Sequence, residues 1–135
     1  MATSLLLLSM LVMTMDGHGT SDFFKDKDKC ATEWSDLGLC LPFVGGDTKS
    51  PTVDCCSRLK LDVEKAKKCF CAFVEYRENP NLGLTINATL ALSLPDACHR
   101  PMNVSECPDL LYLDPYSEDA KVFEDATALA SPTTP

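Results

Sequence analysis

The sequence predicts an all-α protein whose helices are joined by disulfides, and three observations support this. Eight cysteines occur in 135 residues, among them the neighbours Cys55 and Cys56 and the pair Cys69 and Cys71 on either side of Phe70. Apolar residues recur at three- and four-residue steps, as on the buried face of a helix. No stretch shows the alternation of apolar and polar residues that a half-buried strand would show.

Four of the eight cysteines lie between Cys55 and Cys71, a stretch that we call the central segment. Adjacent half-cystines do not easily bond to each other, because a disulfide needs Cα atoms about 4.4–6.8 Å apart and converging Cβ vectors. Neighbouring side chains on a helix point about 100° apart, so Cys55 and Cys56 must reach two different elements. The same holds for Cys69 and Cys71. We therefore expect the central segment to be joined to all other elements.

Residues 1–19 are predicted to be a signal peptide, because residues 5–15 form a mostly apolar run that is too short to span a bilayer comfortably. Gly17 and Gly19 offer small residues for cleavage, so the mature chain is expected to begin near Thr20. The alternative is a buried N-terminal helix. No other run is long and apolar enough to cross a membrane.

An even number of cysteines in a secreted chain predicts four disulfides. Zinc is the alternative, but zinc sites favour C-x₂₋₄-C spacings and histidine, whereas the mature chain has only His99. We therefore predict no metal site and no cofactor. No nucleophile, base and orienting group stand out together, so no catalytic residue is predicted and the protein is not expected to be an enzyme.

The first of four expected helices covers residues 22–44, where apolar side chains fall at helical spacing, and the Gly-Gly pair at residues 45–46 ends it. The next helical pattern has clear start signals. Ser50 can cap it, Pro51 fits the first helical position, and Asp54 favours the helix N-terminus.

This second pattern is expected to break near residues 61–62, which makes two helices of it, and to stop at Pro80. A short fourth helix is expected at residues 87–94, with Pro95 after it. The remaining chain is expected to be irregular, with one helical turn over residues 117–123.

The sequence divides into the signal peptide at residues 1–19, an eight-cysteine domain at residues 20–114 and a tail at residues 115–135. Residues 20–105 carry twelve acids and eleven bases, whereas residues 106–125 carry seven acids and one base. The tail is therefore acidic, and its end, rich in Ala, Thr, Ser and Pro, is typical of a flexible linker. The net charge of −8 argues against a nucleic-acid partner, which would need a basic face.

The eight-cysteine domain holds more apolar side chains than its disulfides require, because each disulfide can contribute about 2–4 kcal/mol of stability. One explanation is an ordinary core. The other is a rigid disulfide frame around an unfilled apolar space, which a domain that depends on close packing could not tolerate. A lipid chain would then complete the core. The residues alone leave both explanations open.

The cysteine order from Cys30 to Cys107 is C-x₉-C-x₁₄-CC-x₁₂-C-x-C-x₂₆-C-x₈-C. This order resembles the eight-cysteine motif of plant non-specific lipid-transfer proteins, within the wider group that includes 2S albumins and cereal-type protease and amylase inhibitors. The stretches VGG, PTVDCC, NPNLGLTINATLALSLPDAC and CPDLL resemble the GPI-anchored branch of that family.

The resemblance implies a four-helix, disulfide-stapled bundle around a hydrophobic tunnel, with an irregular C-terminal segment wrapped over it. Such a tunnel takes fatty acyl chains or lysolipids. Carried over to this sequence, the resemblance pairs Cys40 with Cys55 and Cys56 with Cys98.

The other two bonds vary within the family with the residue between the two cysteines of the C-x-C triplet. A hydrophobic residue, here Phe70, is associated with the bonds Cys30–Cys69 and Cys71–Cys107. A polar residue is associated with Cys30–Cys71 and Cys69–Cys107. The resemblance therefore favours the first pattern.

The candidate lipid contacts are apolar residues of the eight-cysteine domain, namely Leu41, Val44, Val53, Leu59, Phe73, Val74, Leu84, Ile86, Leu90 and Leu94. Arg77 and Arg100 are the candidates for binding a phosphate or carboxylate headgroup, and Tyr112 could close the tunnel mouth. The alternative is that the apolar residues form an ordinary core and that both arginines are solvated.

Asn87-Ala88-Thr89 and Asn103-Val104-Ser105 are N-glycosylation sequons in a chain that is expected to be secreted. Asn87 could also serve as the cap of the fourth helix, and the two roles are compatible only if its side chain faces solvent.

The leading hypothesis is an extracellular protein that binds and transfers lipids as a monomer, with a lipid ligand and a membrane surface as donor or acceptor. The alternative is an inhibitor of a protease or α-amylase on the same scaffold. GPI-anchored relatives continue into a hydrophobic tail, whereas this sequence stops at Pro135. We expect either a truncated or spliced form, secreted to the cell wall or the outer face of the plasma membrane, or an incomplete sequence.

Overall fold

The structure is a computed structural model that describes the backbone of residues 20–130 and the side chains of residues 23–124. The predicted signal peptide at residues 1–19 and the last residues of the tail lie outside the described part. The helices are α1 (Thr20–Lys29), α2 (Ala31–Leu37), α3 (Leu41–Val44), α4 (Val53–Arg58), α5 (Glu64–Glu75), α6 (Ala88–Ala97), α7 (Cys107–Leu110) and α8 (Glu118–Ala130), with 3₁₀ turns at Gly38–Cys40 and Val104–Glu106. Residues 20–130 contain no β-strand, which confirms the all-α prediction.

The expected first helix is divided into three shorter helices. Cys30 separates α1 from α2 with φ −104° and ψ 15°, and the 3₁₀ turn at Gly38–Cys40 separates α2 from α3. Both breaks lie at cysteines whose disulfides reach the central segment. The chain therefore changes direction where it is covalently held.

Thr52, and not Ser50, caps α4, since its Oγ accepts a hydrogen bond from the Cys55 N–H at 3.1 Å. The prediction for Ser50 is therefore wrong by two residues. The predicted interruption is confirmed, because residues 59–63 lie between α4 and α5. The cap of the fourth expected helix is Asn87, whose Oδ1 accepts a hydrogen bond from the Leu90 N–H at 3.0 Å.

The predicted end of this helix before Pro95 is wrong, because α6 continues through Pro95 to Ala97. Proline removes one N–H from a helix but does not stop the following amides from bonding. The Cys98 N–H still donates to the Leu94 carbonyl at 2.9 Å. Proline therefore sits in the last turn of α6 and does not end the helix.

Helices α1 and α2 are fixed on α5 by an aromatic cluster. The ring centroid of Phe23 lies 5.9 Å from that of Trp34 and 5.1 Å from that of Tyr76. The Trp34 Nε1–H donates to the Cys69 carbonyl at 2.9 Å, and the Tyr76 hydroxyl donates to the Asp26 carboxylate at 2.7 Å. Each polar group that accompanies these rings is thereby paired, as burial requires.

Helix α8 occupies much of the segment that the sequence assigns to a tail. The Ser117 Oγ accepts a hydrogen bond from the Ala120 N–H at 3.2 Å and caps the helix. Ala120 and Phe123 are 0% exposed, and α8 packs against α6, α7 and the 3₁₀ turn at Val104–Glu106. The packed structure thus continues past residue 114 to Phe123, and a full helix replaces the expected single turn. Among the described side chains of α8, Ala120 and Phe123 are buried and Val122 is partly buried, which is too weak a pattern to identify among acidic neighbours.

Helix α6 ends in a conformation that usually requires glycine. His99 has φ 55°, and the Arg100 N–H donates to the Pro95 carbonyl at 2.8 Å while the His99 N–H donates to Asp96 at 3.0 Å. This is the Schellman arrangement, whose left-handed position is normally filled by glycine. Tyr112, after α7, has the same conformation with φ 56°.

Replacing His99 with glycine is expected to raise the free energy of unfolding by about 0.5–1 kcal/mol. The left-handed conformation costs an L-residue roughly 1–2 kcal/mol, which glycine avoids. Glycine also makes the unfolded chain more flexible, and this offsets part of the stabilisation. The control is Ala97→Gly at the neighbouring helical position, which should lower stability by about 0.5–1 kcal/mol. Denaturant unfolding measures the stability of both variants. A lower free energy of unfolding for His99→Gly would show that the left-handed conformation of His99 is not strained.

Replacing Phe123 with alanine is expected to release α8. Removing a buried phenylalanine costs about 3–5 kcal/mol, but α8 can detach, so the loss of global stability cannot exceed its docking free energy. Amide hydrogen exchange of residues 118–124 should accelerate by about 100-fold or more. The exposed neighbour Glu124→Ala should leave exchange unchanged, and equal protection in both variants would show that Phe123 does not hold the helix.

Candidate functional site

All four disulfides have one end in the central segment. The bonds are Cys30–Cys69, Cys40–Cys55, Cys56–Cys98 and Cys71–Cys107, with Cα–Cα distances from 4.9 to 5.4 Å. They join α4 and α5 to the end of α1, the first 3₁₀ turn, the end of α6 and the start of α7. This is the pattern that the resemblance associates with a hydrophobic residue at position 70, and Phe70 itself is buried.

The disulfides also decide what the cysteines can do chemically. The Sγ atoms of Cys55, Cys56 and Cys98 lie within 4.8 Å of one another, a spacing that could suit a metal ion. All three sulfurs are in disulfides, however, and only a thiolate is an effective metal ligand. The three sulfurs are therefore close because the disulfides Cys40–Cys55 and Cys56–Cys98 lie next to each other.

Nine of the ten apolar candidates belong to one apolar cluster. The fully buried members, each no more than 3% exposed, are Val44, Leu59, Phe73, Val74 and Leu94. The partly buried members, which lie at the edge of the cluster, are Leu41, Leu84, Ile86 and Leu90. No polar or charged residue is buried among the residues whose side chains are described. Nine of the candidates therefore share one apolar interior, and their contact with lipid stays a prediction.

Val53, the tenth candidate lipid contact, lies outside this interior, since its side chain is 85% exposed. Val53 lies two residues before Cys55, which is buried and bonded to Cys40. Positions two apart on a helix point about 200° apart. The disulfide that turns Cys55 inward therefore turns Val53 outward.

The two arginine candidates lie in different surroundings. Arg77 is half-buried, and its Nη1 donates to the Val74 carbonyl at 3.1 Å. Arg100 is exposed and lines a surface cleft of about 440 Å³ together with Leu61, Asp62, Lys67 and Pro101. Arg77 is thus held by its own helix end, whereas Arg100 is available to solvent.

A second cleft, of about 490 Å³, lies between α1 and α5 and was not foreseen from the sequence. Lys29, Lys65 and Lys68 line it around Ala72 and Leu111, and Asp26 and Glu64 line it as well. The helical spacing of Lys65, Lys68 and Ala72 was a signal for this shared face. Charged residues at such spacing are common on solvated helices, which is why the signal stood out little.

Tyr112, expected at the mouth of a tunnel, is 87% exposed. Its ring lies under Lys68, whose Nζ is 5.0 Å from the ring centroid, a distance typical of a cation–π contact. Tyr112 therefore lies on the surface beside α5 and does not cover the apolar interior.

The two sequon asparagines are both exposed. Asn87 caps α6 through its Oδ1, and the Asn103 Oδ1 accepts a hydrogen bond from the Ser105 N–H at 3.1 Å. A glycan is attached to the side-chain nitrogen, so these bonds through oxygen are compatible with modification.

These features define a class of protein: a small all-α domain in which four disulfides from one segment surround an interior with no buried polar or charged residue among the described side chains. Within the described part of the chain, none of the helices has the length and hydrophobicity needed to span a bilayer.

Comparison with known proteins agrees with this class. A family model described as probable lipid transfer matches residues 7–107, and the chain belongs to this family. It is 46% identical over 123 residues to the Arabidopsis thaliana protein named non-specific lipid transfer protein GPI-anchored 13, an alignment that covers 91% of this chain and 59% of the relative.

Two further Arabidopsis thaliana relatives carry similar names. The chain is 41% identical to non-specific lipid transfer protein GPI-anchored 22, covering 96% of this chain and 74% of the relative. It is 40% identical to non-specific lipid transfer protein GPI-anchored 6, covering 91% and 68%. The chain thus spans roughly 59–74% of the length of these relatives. No solved structure matches the chain.

Proposed function

We propose that this protein binds a lipid by its acyl chain in the apolar interior and carries it between membrane surfaces outside the cell. It acts as a monomer and without covalent chemistry. The observation that carries the proposal is the interior itself, which contains no buried polar or charged side chain in the described region of a lipid-transfer family member. Burial of each methylene contributes about 0.8 kcal/mol of binding free energy. An acyl chain of about sixteen carbons therefore contributes roughly ten kcal/mol before entropic losses.

The segment before α6 is the best candidate for the entrance. Residues 83–86 make no backbone–backbone hydrogen bond, and the Asn87 N–H after them donates to the Val44 carbonyl at 2.8 Å. Leu82, Leu84 and Ile86 pack on the core while Gly83 and Thr85 are exposed. Segments with few backbone hydrogen bonds open at low free-energy cost. The disulfides hold the helices on both sides in place, so this segment can move without unfolding the domain.

The headgroup is proposed to bind at Arg100. Its exposed guanidinium lies in a cleft with Lys67, so two cations can share one phosphate or carboxylate. Arg77 remains a second candidate, although its bond to the Val74 carbonyl would have to be shared or broken.

The extracellular location is supported by the chemistry of the frame and by the relatives. Four disulfides are typical of an oxidising compartment, and the relatives' names describe GPI-anchored proteins. The exposed sequons Asn87 and Asn103 fit the same location.

Ile86→Asn is expected to weaken binding of a fluorescent long-chain fatty acid by about tenfold or more. The change removes apolar contact worth about 1.5–3 kcal/mol at the edge of the interior. The matched control is Val53→Asn, which changes an equally branched but exposed side chain and should leave the dissociation constant within about twofold. Thermal melting and a free-thiol assay verify folding, and wild-type affinity in Ile86→Asn would remove this edge from the site.

Arg100→Ala is expected to weaken binding of a lysolipid with a phosphate headgroup by about tenfold, because a charge-assisted hydrogen bond contributes about 1.5–3 kcal/mol. Binding of an uncharged monoacylglycerol should not change. Arg58→Ala is the control, since Arg58 pairs with Asp36 at 3.3 Å. An equal loss for both lipids would assign Arg100 a structural role instead.

A further inference from the structure

Helix α8 lies outside the disulfide frame. The last cysteine is Cys107, the family match also ends at residue 107, and α8 begins at Glu118. The polar contacts that shape its start are local, such as those of Asp114 with the Tyr116 N–H and the Ser117 hydroxyl. The covalent frame therefore does not fix the position of α8.

Helix α8 nevertheless supplies part of the core. Ala120 and Phe123 are 0% exposed, lie three residues apart on one helix face, and Phe123 belongs to the main apolar cluster. Its other faces carry the exposed residues Glu118, Asp119, Lys121 and Glu124. Within residues 118–124 the helix thus inserts a narrow apolar stripe and leaves its charged side chains in water.

Helix α8 covers part of α6, the helix that carries the candidate lipid contacts Leu90 and Leu94. Helix α8 packs against α6, whose Ala91, Leu92 and Leu94 are buried and whose Leu90 is partly buried. An acyl chain that packs on this face of α6 would need the apolar surface that α8 covers. Because interiors are close-packed, the phenyl ring of Phe123 and a lipid chain cannot fill one volume together.

Helix α1, at the other end of the described chain, is held more firmly than α8. Helix α1 also precedes the first cysteine, but it leads directly into Cys30. It is held by the hydrogen bond between Tyr76 and Asp26 at 2.7 Å and by the ring contacts of Phe23. Residues 111–117 instead separate α8 from α7. Displacement of α8 would therefore leave the rest of the fold intact.

We propose that the α6 surface covered by α8 is an acyl-chain site, and that α8 is its intramolecular occupant. A bound chain and a docked α8 exclude each other, so lipid uptake releases the helix and docking of the helix expels lipid. This inference rests on the proposed lipid binding and adds to it the location of the chain and the segment that competes with it. Such competition is reciprocal, because each occupant weakens the other by the same factor.

The first measurement is the dissociation constant of a fluorescent long-chain fatty acid for four proteins: the full chain, a chain ending at Asp114, Phe123→Ala and Glu124→Ala. Removal of α8 should tighten binding by about 100-fold if α8 is docked in roughly 99 molecules of 100. Phe123→Ala should change affinity in the same direction, and Glu124→Ala should match the full chain. All four retain the eight cysteines, and a free-thiol assay verifies the four disulfides.

The second measurement uses the intact chain and needs no variant. Hydrogen exchange of residues 118–124 should accelerate when the fatty acid is added, while the amides of α5 and α6 become better protected. A helix that merely closes over the lipid would be slowed by it, so slower exchange, or weaker binding after truncation, overturns the proposal.

The remaining outcomes separate this proposal from the proposed function. Equal affinity of the full chain, the truncated chain and Phe123→Ala, with exchange of α8 unchanged, overturns the competition but leaves lipid binding in place. Absence of fatty-acid binding by every variant, with all four disulfides intact, overturns lipid binding and the competition together.

Discussion

The rest of the structure depends on one covalent constraint, namely that each of the four disulfides has one of its cysteines in the central segment. Four bonds from residues 55–71 reach the end of α1, the first 3₁₀ turn, the end of α6 and the start of α7. Helices this short would be marginal in isolation, since a helix needs about 12–15 residues to be stable even with a favourable sequence. The bonds therefore replace the long packed interfaces that a larger helical protein would use.

This constraint gives the interior an unusual freedom. In most small domains the core must stay closed because its packing supplies the stability. Under the proposed function, the disulfides would hold the helices while apolar side chains such as Leu84 and Ile86 part around a lipid chain. The core that the structure describes and the proposed lipid-filled core would then be two packings of one frame that differ at Phe123.

Much of this arrangement could be predicted from particular residues. The neighbouring cysteines required bonds to separate elements, and the apolar spacing required helices. Asn87 was correctly considered as a helix cap. Start signals were less reliable: Ser50 and Thr52 are both good caps, and Thr52 is used because the disulfide of Cys55 sets where α4 must begin. Pro95 lies inside α6 because the turn closed by His99 keeps the helix going for two more residues.

The sequence by itself predicted the helical class and a central segment that holds one end of each disulfide, because cysteine spacing and hydrophobic periodicity are local properties, whereas the pairing of the cysteines was implied by the resemblance. Only the tertiary structure decided which apolar side chains face inward. Val53 is exposed because Cys55 is turned toward Cys40, and Phe123 is buried because α6 offers a surface for it. Burial depends on what the rest of the chain places opposite a residue, and no local pattern carries that information.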